Sequence, residues 1–176
     1  QPVVTRDRTL GERPLVLGFI GTLASHKGCH VLLEAIQRFS SREIQVEIYG
    51  KQSDFPDYVA RLHQLADGKE AVKFCGTFSN EEIFAVLGGL DALVVPSVWN
   101  ENTPLVVYSA KAAGCPVVAS DVPGIAEAVT HDFDGLLFDP GSVDGLESTL
   151  KRLLAERGLL QRLSLNSIPP KSVSTY

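Results

Sequence analysis

The stretch PSVWNENTPLVVYSAKAAGCPVVAS, residues Pro96 to Ser120, decides the fold, because it sets a strand end, a polar loop, a helix start and a second strand around one crevice. The preceding Leu93-Val94-Val95 is apolar and β-prone. Asn102-Thr103-Pro104 then places capping side chains directly before a proline, the residue favoured at the first helical position, so a helix is predicted to start near Pro104. The amides of Leu105 and Val106 find no acceptor inside such a helix and carry the positive end of its dipole, which suits a phosphate or diphosphate. Gly114 closes the helix, and Pro116-Val117-Val118-Ala119 reads as the next buried strand.

Outward from this segment the same alternation continues. Apolar strand-like runs at 15–20, 44–49, 72–75, 91–95, 116–119 and 135–138 alternate with helical spacing at about 28–39, 56–67, 79–88, 104–113 and 142–157. Strands that are short, continuous and rich in Val, Ile, Leu and Phe are those buried on both faces, so the pattern predicts an α/β fold, a parallel sheet with helices on both sides. In such sheets the ligand crevice lies at the carboxyl ends of the strands. Ser79-Asn80-Glu81-Glu82 reads as a capping box opening a helix, which accounts for its acidic pair without chemistry. Asp132-Phe133-Asp134 stands in a polar turn before Gly135 and is read as a turn rather than a metal motif. Residues 1–13 and 168–176, the latter with Pro169-Pro170, are read as linker or tail.

Bulk properties narrow the class. With 44% hydrophobic and 21% charged residues in 176, the chain suits one folded domain and not a disordered segment. A net charge of −5 argues against a nucleic-acid partner, which would call for a basic patch. No apolar run approaches the roughly 20 residues a spanning helix needs. Cys29, Cys75 and Cys115 are odd in number, widely spaced and without a Cys-x-x-Cys pair, so buried thiols are expected and neither disulfides nor a zinc site. The chain contains no methionine, hence no initiator, and a piece of a longer protein is expected. His30, His63 and His131 read as helix-surface or loop residues, with no constellation that would make a triad.

The quoted segment resembles the signature of the retaining glycosyltransferases of the GT-B fold, family 4: Pro-Ser, a short gap, Glu, seven residues, Glu, then Ala-x-Ala-x-Gly-x-Pro-Val. Glu101 fills the first acidic position, while Ser109 stands at the second. The resemblance extends to GFIGTLASHKGCHVLLEA at 18–35, VEIYG at 46–50, VKFCGTFSNEEI at 72–83 and GLLFDPGSVDGL at 135–146, in family order. It implies a Rossmann-like, doubly wound parallel sheet of about six strands, one half of a GT-B fold. It further implies a single nucleotide-sugar-binding domain whose N-terminal, acceptor-binding partner domain is absent. The expected activity is that of a hexosyltransferase using a UDP- or GDP-sugar donor, with no obligatory cofactor or metal, in a cytoplasmic enzyme. Peripheral membrane association of the full enzyme stays open. Two alternatives on the same scaffold are a non-catalytic nucleotide-sugar-binding or regulatory module and a nucleotide-sugar epimerase.

The resemblance also assigns residues. The first strand-to-helix turn, Gly18 to Gly28, is neither Gly-x-Gly-x-x-Gly nor a Walker loop. In the family, a small residue at Gly21 admits the ligand, an Arg at the next position helps neutralise the donor diphosphate, and the Lys of Lys-Gly does the same. Thr22 here replaces that Arg, while Lys27 is kept, and His26 beside it is read as facing the donor. Lys27 and Glu101 are the implied catalytic pair, the first stabilising the leaving diphosphate and the second meeting sugar hydroxyls or orienting the loop. Asn102, Thr103, Pro104, Leu105 and Val106 form the implied anion-binding helix start, and Ser109 occupies the ribose-facing position. Thr77 and Phe78 would wall the base after the third strand, with Gly50 and its neighbours Tyr49 and Lys51 adding a further wall or cation.

Overall fold

The computed structural model describes residues 6–102 and 104–168, so Thr103 and the tail beyond Ile168 lie outside the described residues. In chain order the elements are β1 (Leu15–Ile20), α1 (Cys29–Ala35), β2 (Ile44–Tyr49), α2 (Pro56–Leu65), β3 (Val72–Gly76) and α3 (Ile83–Gly88). There follow β4 (Ala92–Val95), α4 (Leu105–Ala112), β5 (Val117–Ser120), β6 (Gly135–Phe138), α5 (Val143–Ala155) and α6 (Leu159–Ser167). All strands are parallel, in the order β3-β2-β1-β4-β5-β6. The chain winds outward from β1 to β3, returns to pair β4 with β1, and winds outward again, so the topological switch falls between β1 and β4.

Successive strand residues point to opposite faces, and both faces are covered. Leu15, Leu17 and Phe19 pack with α1 and α5 residues such as Leu32, Leu33, Leu146 and Leu150, while Leu93, Val117 and Ala119 pack with Val107 and Ala110 of α4. Gly18 is needed at β1, because a Cβ there would sit 2.3 Å from Leu90 Cδ1. β3 corrects the expectation of uniformly buried strands. It is an edge strand whose residues alternate between half-buried and exposed, and Cys75 is exposed there, whereas Cys29 and Cys115 are buried as expected.

Helix ends differ in detail from the sequence reading. α1 stops at Ala35, and turns carry the chain to Phe39, which still reaches the core. Pro104 occupies the cap of α4 rather than its first turn. The Ser79 hydroxyl donates to the Glu82 carboxylate at 3.1 Å instead of accepting a backbone amide, so the helix start stands but the capping box is not made. A 3₁₀ turn at Asn80–Glu82 leads into α3. The helix α6 falls outside the sequence expectation.

The expected linker is bound to the domain over its described part. Arg6 and Arg13 pair with the buried Asp91 carboxylate at 2.9 and 2.6 Å, and the Arg8 guanidinium is fully buried against the Leu90 carbonyl and the Ser164 hydroxyl. These contacts lie at the amino ends of β1 and β4, opposite the crevice.

Candidate functional site

The loops that follow β1, β2, β4 and β5 are locked together by backbone. Gly28 is left-handed (φ 75°), and a Cβ on it would fall 1.8 Å from the Pro96 carbonyl oxygen. A Cβ on Gly124 (φ 92°) would fall 1.7 Å from the Glu101 carbonyl oxygen. The Val98 amide donates to the His26 carbonyl at 3.0 Å, and the Glu101 amide to the Pro123 carbonyl at 3.2 Å. Gly50 serves the same end, since a Cβ would meet the Gly21 carbonyl oxygen at 2.4 Å.

On this frame the two charged residues singled out from sequence meet. Lys27 Nζ donates to Glu101 Oε1 at 2.9 Å and Oε2 at 3.1 Å, and the Ser97 hydroxyl donates to Oε1 at 2.7 Å. Partial burial acts to raise the Glu101 pKa, but the hydrogen bonds from Lys27 and Ser97 and the nearby charges of Lys27 and His26 outweigh it. The carboxyl is held below its ordinary value. Glu101 is therefore a charged, oriented acceptor, and Lys27 is a cation with an ammonium hydrogen to spare.

A second group lines a cavity of about 240 Å³ at the carboxyl ends of β1, β2 and β3. Gly21, Thr22, Gly50, Thr77 and Phe78 line it together with Tyr49, Lys51 and Asp54. The Phe78 ring stands edge-on to Tyr49 at 5.5 Å, and the Tyr49 hydroxyl donates to Glu47 at 2.6 Å, which fixes the wall. Lys51 is paired with Asp54 at 3.3 Å. Gly21 differs from Gly50: a Cβ there would touch only the Phe19 ring, at 3.6 Å. The protein itself thus leaves room for a side chain at 21, and its absence keeps the cavity floor open. The loop from Gly21 to Lys27 runs from this cavity to the Lys27–Glu101 pair.

α4 approaches the same edge. Its first described amides, on Leu105 and Val106, have no acceptor among the described residues, while those of Val107 and Tyr108 turn back to the Pro104 carbonyl. Asn102 and Leu105 are exposed, Val106 and Ser109 half-buried, Pro104 buried. At its far end the helix closes as expected, Gly114 taking φ 69° with amide bonds from Gly114 to Lys111 and from Cys115 to Ala110.

Other candidates are structural. Asp132 (φ 64°) is clamped by Arg152 and Arg162, and Asp134 accepts from the Thr130 amide and pairs with Lys111, so the triplet is a turn. His30 bonds the Tyr58 hydroxyl, His63 stacks on Phe74, and His131 Nδ1 accepts from the Leu137 amide. The participant missed from sequence is Ser97. It stands in the Pro-Ser pair of the quoted segment, four residues before Glu101, and the fold of the loop, not that spacing, brings the two together.

A doubly wound α/β domain with a charged crevice at its switch point is the class that fold and site define. Within it, the chain belongs to the glycosyl transferases group 1, whose family model matches residues 4–168. It is 32% identical over 169 residues to the D-inositol 3-phosphate glycosyltransferase of Corynebacterium urealyticum, covering 92% of this chain and 39% of that protein. It is 31% identical over 153 residues to the glycogen synthase of Mycobacterium tuberculosis, covering 85% of this chain and 36% of that one. The crystal structure of HepE from Anabaena in complex with UDP-glucose superposes with a TM-score of 0.80 at 25% identity, over 88% of this chain and 43% of that one. The chain spans about two fifths of the length of these proteins.

Proposed function

We propose that the chain is the donor-binding domain of a retaining family 4 glycosyltransferase, a hexosyltransferase that takes its sugar from a UDP- or GDP-sugar. The observation that carries this reading is the Lys27–Glu101 pair, set in locked loops at the β1/β4 switch point and joined by one loop to an open cavity. Retention and membership of family 4 rest on the order of the motifs quoted above.

Cleavage of the anomeric C–O bond puts negative charge on the β-phosphate and positive charge on the sugar ring, and fixed charges and dipoles aimed at the leaving group accelerate it. Lys27 and the leading amides of α4 take that charge. Thr22 contributes a hydroxyl where relatives of this signature place a cation. Glu101 accepts from donor-sugar hydroxyls, Ser109 overlooks the ribose, and Thr77 and Phe78 wall the base beside Gly21 and Gly50. These residues perform the chemistry without an obligatory metal. The acceptor belongs to an N-terminal domain outside this chain, in an enzyme read as cytoplasmic and without a nucleic-acid partner.

Calorimetric titration of the chain with UDP, GDP and their sugars tests the reading, beginning with UDP-glucose, the ligand of the Anabaena structure. Selective binding of one nucleoside diphosphate over its nucleoside is the expected result. Absence of binding by all of them would overturn it.

A further inference from the structure

We propose that Ser97 is a positioning residue that keeps the Glu101 carboxylate aimed into the crevice when the donor diphosphate draws the Lys27 ammonium away. The proposal rests on the reading of Lys27 as the diphosphate's partner. In the structure Lys27 and Ser97 both donate to Glu101 Oε1, at 2.9 and 2.7 Å, but they are held differently. Lys27 ends a long, flexible stem that loses rotamer freedom when it is ordered, and its side chain is 29% exposed. It is free to exchange a carboxylate for a more highly charged diphosphate.

Ser97 cannot leave in this way. It is 1% exposed, its hydroxyl sits on one short bond, and Glu101 is its acceptor among the described residues. Its backbone is fixed on one side by the Pro96 carbonyl wedged over Gly28 and on the other by the bond from the Val98 amide to His26. Glu101 is in turn held to Pro123 and Gly124. Among the described residues, the charged and titratable groups facing the carboxylate are Lys27 and His26 from the loop after β1; the loop after β5 presents backbone through Pro123 and Gly124. Once Lys27 turns to a phosphate, Glu101 stands beside new negative charge with one fixed donor left. That donor decides whether the carboxylate stays ionised and oriented for sugar hydroxyls or swings out and protonates.

Two measurements test this on the 176-residue chain. The first needs no ligand: the Glu101 carboxyl carbon is titrated by NMR in a Lys27→Met background, with Ser97 and with Ser97→Ala. The midpoint is expected to rise when the hydroxyl is removed. The second compares a nucleoside diphosphate with its sugar, UDP with UDP-glucose and GDP with GDP-mannose. Ser97→Ala is expected to leave the nucleoside diphosphate within about twofold and to reduce the added affinity of the sugar about five- to tenfold, with the acid limb of sugar-nucleotide binding moved to higher pH. An unchanged midpoint, or equal loss for nucleotide and sugar nucleotide, overturns the proposal. If the parent chain binds no sugar nucleotide, the donor-site reading fails instead, and the carboxyl titration still decides whether Ser97 holds Glu101.

Discussion

Lys27 and Glu101 are 74 residues apart in sequence, and each alone has an ordinary explanation, a surface lysine at a helix start and a carboxylate near a dipole. Brought within 2.9 Å they neutralise each other, so any anion that recruits Lys27 competes with Glu101. Lys27→Ala is accordingly expected to weaken a nucleoside diphosphate by about 1.5 kcal/mol, roughly tenfold, the low end for a charge-assisted bond because the free state already pairs the ammonium. The corresponding nucleoside should be unaffected, and calorimetry that finds equal losses for both would remove Lys27 from the phosphate site. Ser109 offers the converse experiment. It is half-buried on α4, its hydroxyl has no partner among the described residues, and the resemblance puts a carboxylate there. Ser109→Glu is expected to tighten UDP or GDP by roughly 1 to 2 kcal/mol through two ribose hydroxyls, with no gain for a 2′,3′-dideoxynucleotide. Unchanged ribonucleotide affinity in a folded variant would move Ser109 away from the ribose. The candidates for the proposed site were legible in sequence because the chemistry proposed for it restricts them to a lysine, a carboxylate, glycines and a helix start. Ser97 was not, since a serine's role depends on what its hydroxyl faces, and only the folded loop sets that.

The elements repeat this division between what local sequence dictates and what packing adds. All six strands were readable within a residue or so, because buried parallel strands are continuous apolar runs bounded by turn residues. β3 departs from that pattern only in its surroundings: edge position is a property of the sheet, and nothing in Val72-Lys73-Phe74-Cys75 states which strand will lack a neighbour. Helix α5 shows the local logic at its clearest. Leu146, Leu150 and Leu153 recur at helical spacing on its buried face, and Ser142 caps it by accepting from the Gly145 amide at 2.9 Å. Ser142→Ala is expected to cost about 1 kcal/mol, read as a fall in Tm of about 2 to 4 °C, and Ser142→Asp to restore most of it. A loss as large in Ser79→Ala would contradict the geometry, since the Ser79 hydroxyl bonds a carboxylate on an exposed turn and caps nothing. Helix α6 escaped the sequence reading because Arg157-Gly158 interrupts the pattern and nine residues give few turns to recognise. Its Leu159, Leu160 and Leu163 are buried, and its Arg162, Asn166 and Ser167 hold the turn that contains Asp132 and Asp134.

Across the whole molecule, the proposed donor site and the arginine cluster lie at opposite ends of the sheet. The carboxyl ends carry the crevice, and the amino ends carry a cluster of arginines that binds residues 6–13 to the body of the domain. Asp91 is its centre: the carboxylate is completely buried and accepts from Arg6, twice from Arg13, and from the Val16 amide at 2.8 Å. Burial pushes its pKa upward, yet the bonds from Arg13, Arg6 and Val16 outweigh that, and the group is held below its ordinary value of 3.8. A carboxylate whose pKa is lower folded than unfolded contributes stability that is fully present above the unfolded value and is lost as pH falls through the folded one. Stability of the chain should therefore decline on acidification below about pH 4, and Asp91→Asn should flatten that decline while lowering stability at neutral pH. Removing one partner of a buried pair costs roughly 3 to 5 kcal/mol, and the lower end applies because Arg6 and Arg13 keep 25% and 33% of their side chains in solvent. Urea unfolding at pH 7 and at pH 3.5 measures both effects. Because Asp91 lies at the opposite end of β4 from Ser97 and Glu101, nucleotide affinity of the folded variant should match that of the parent chain. A variant that lost affinity in proportion to its stability would show that the arginine cluster and the crevice form one cooperative unit, and that the division of labour between the sheet's two ends is wrong.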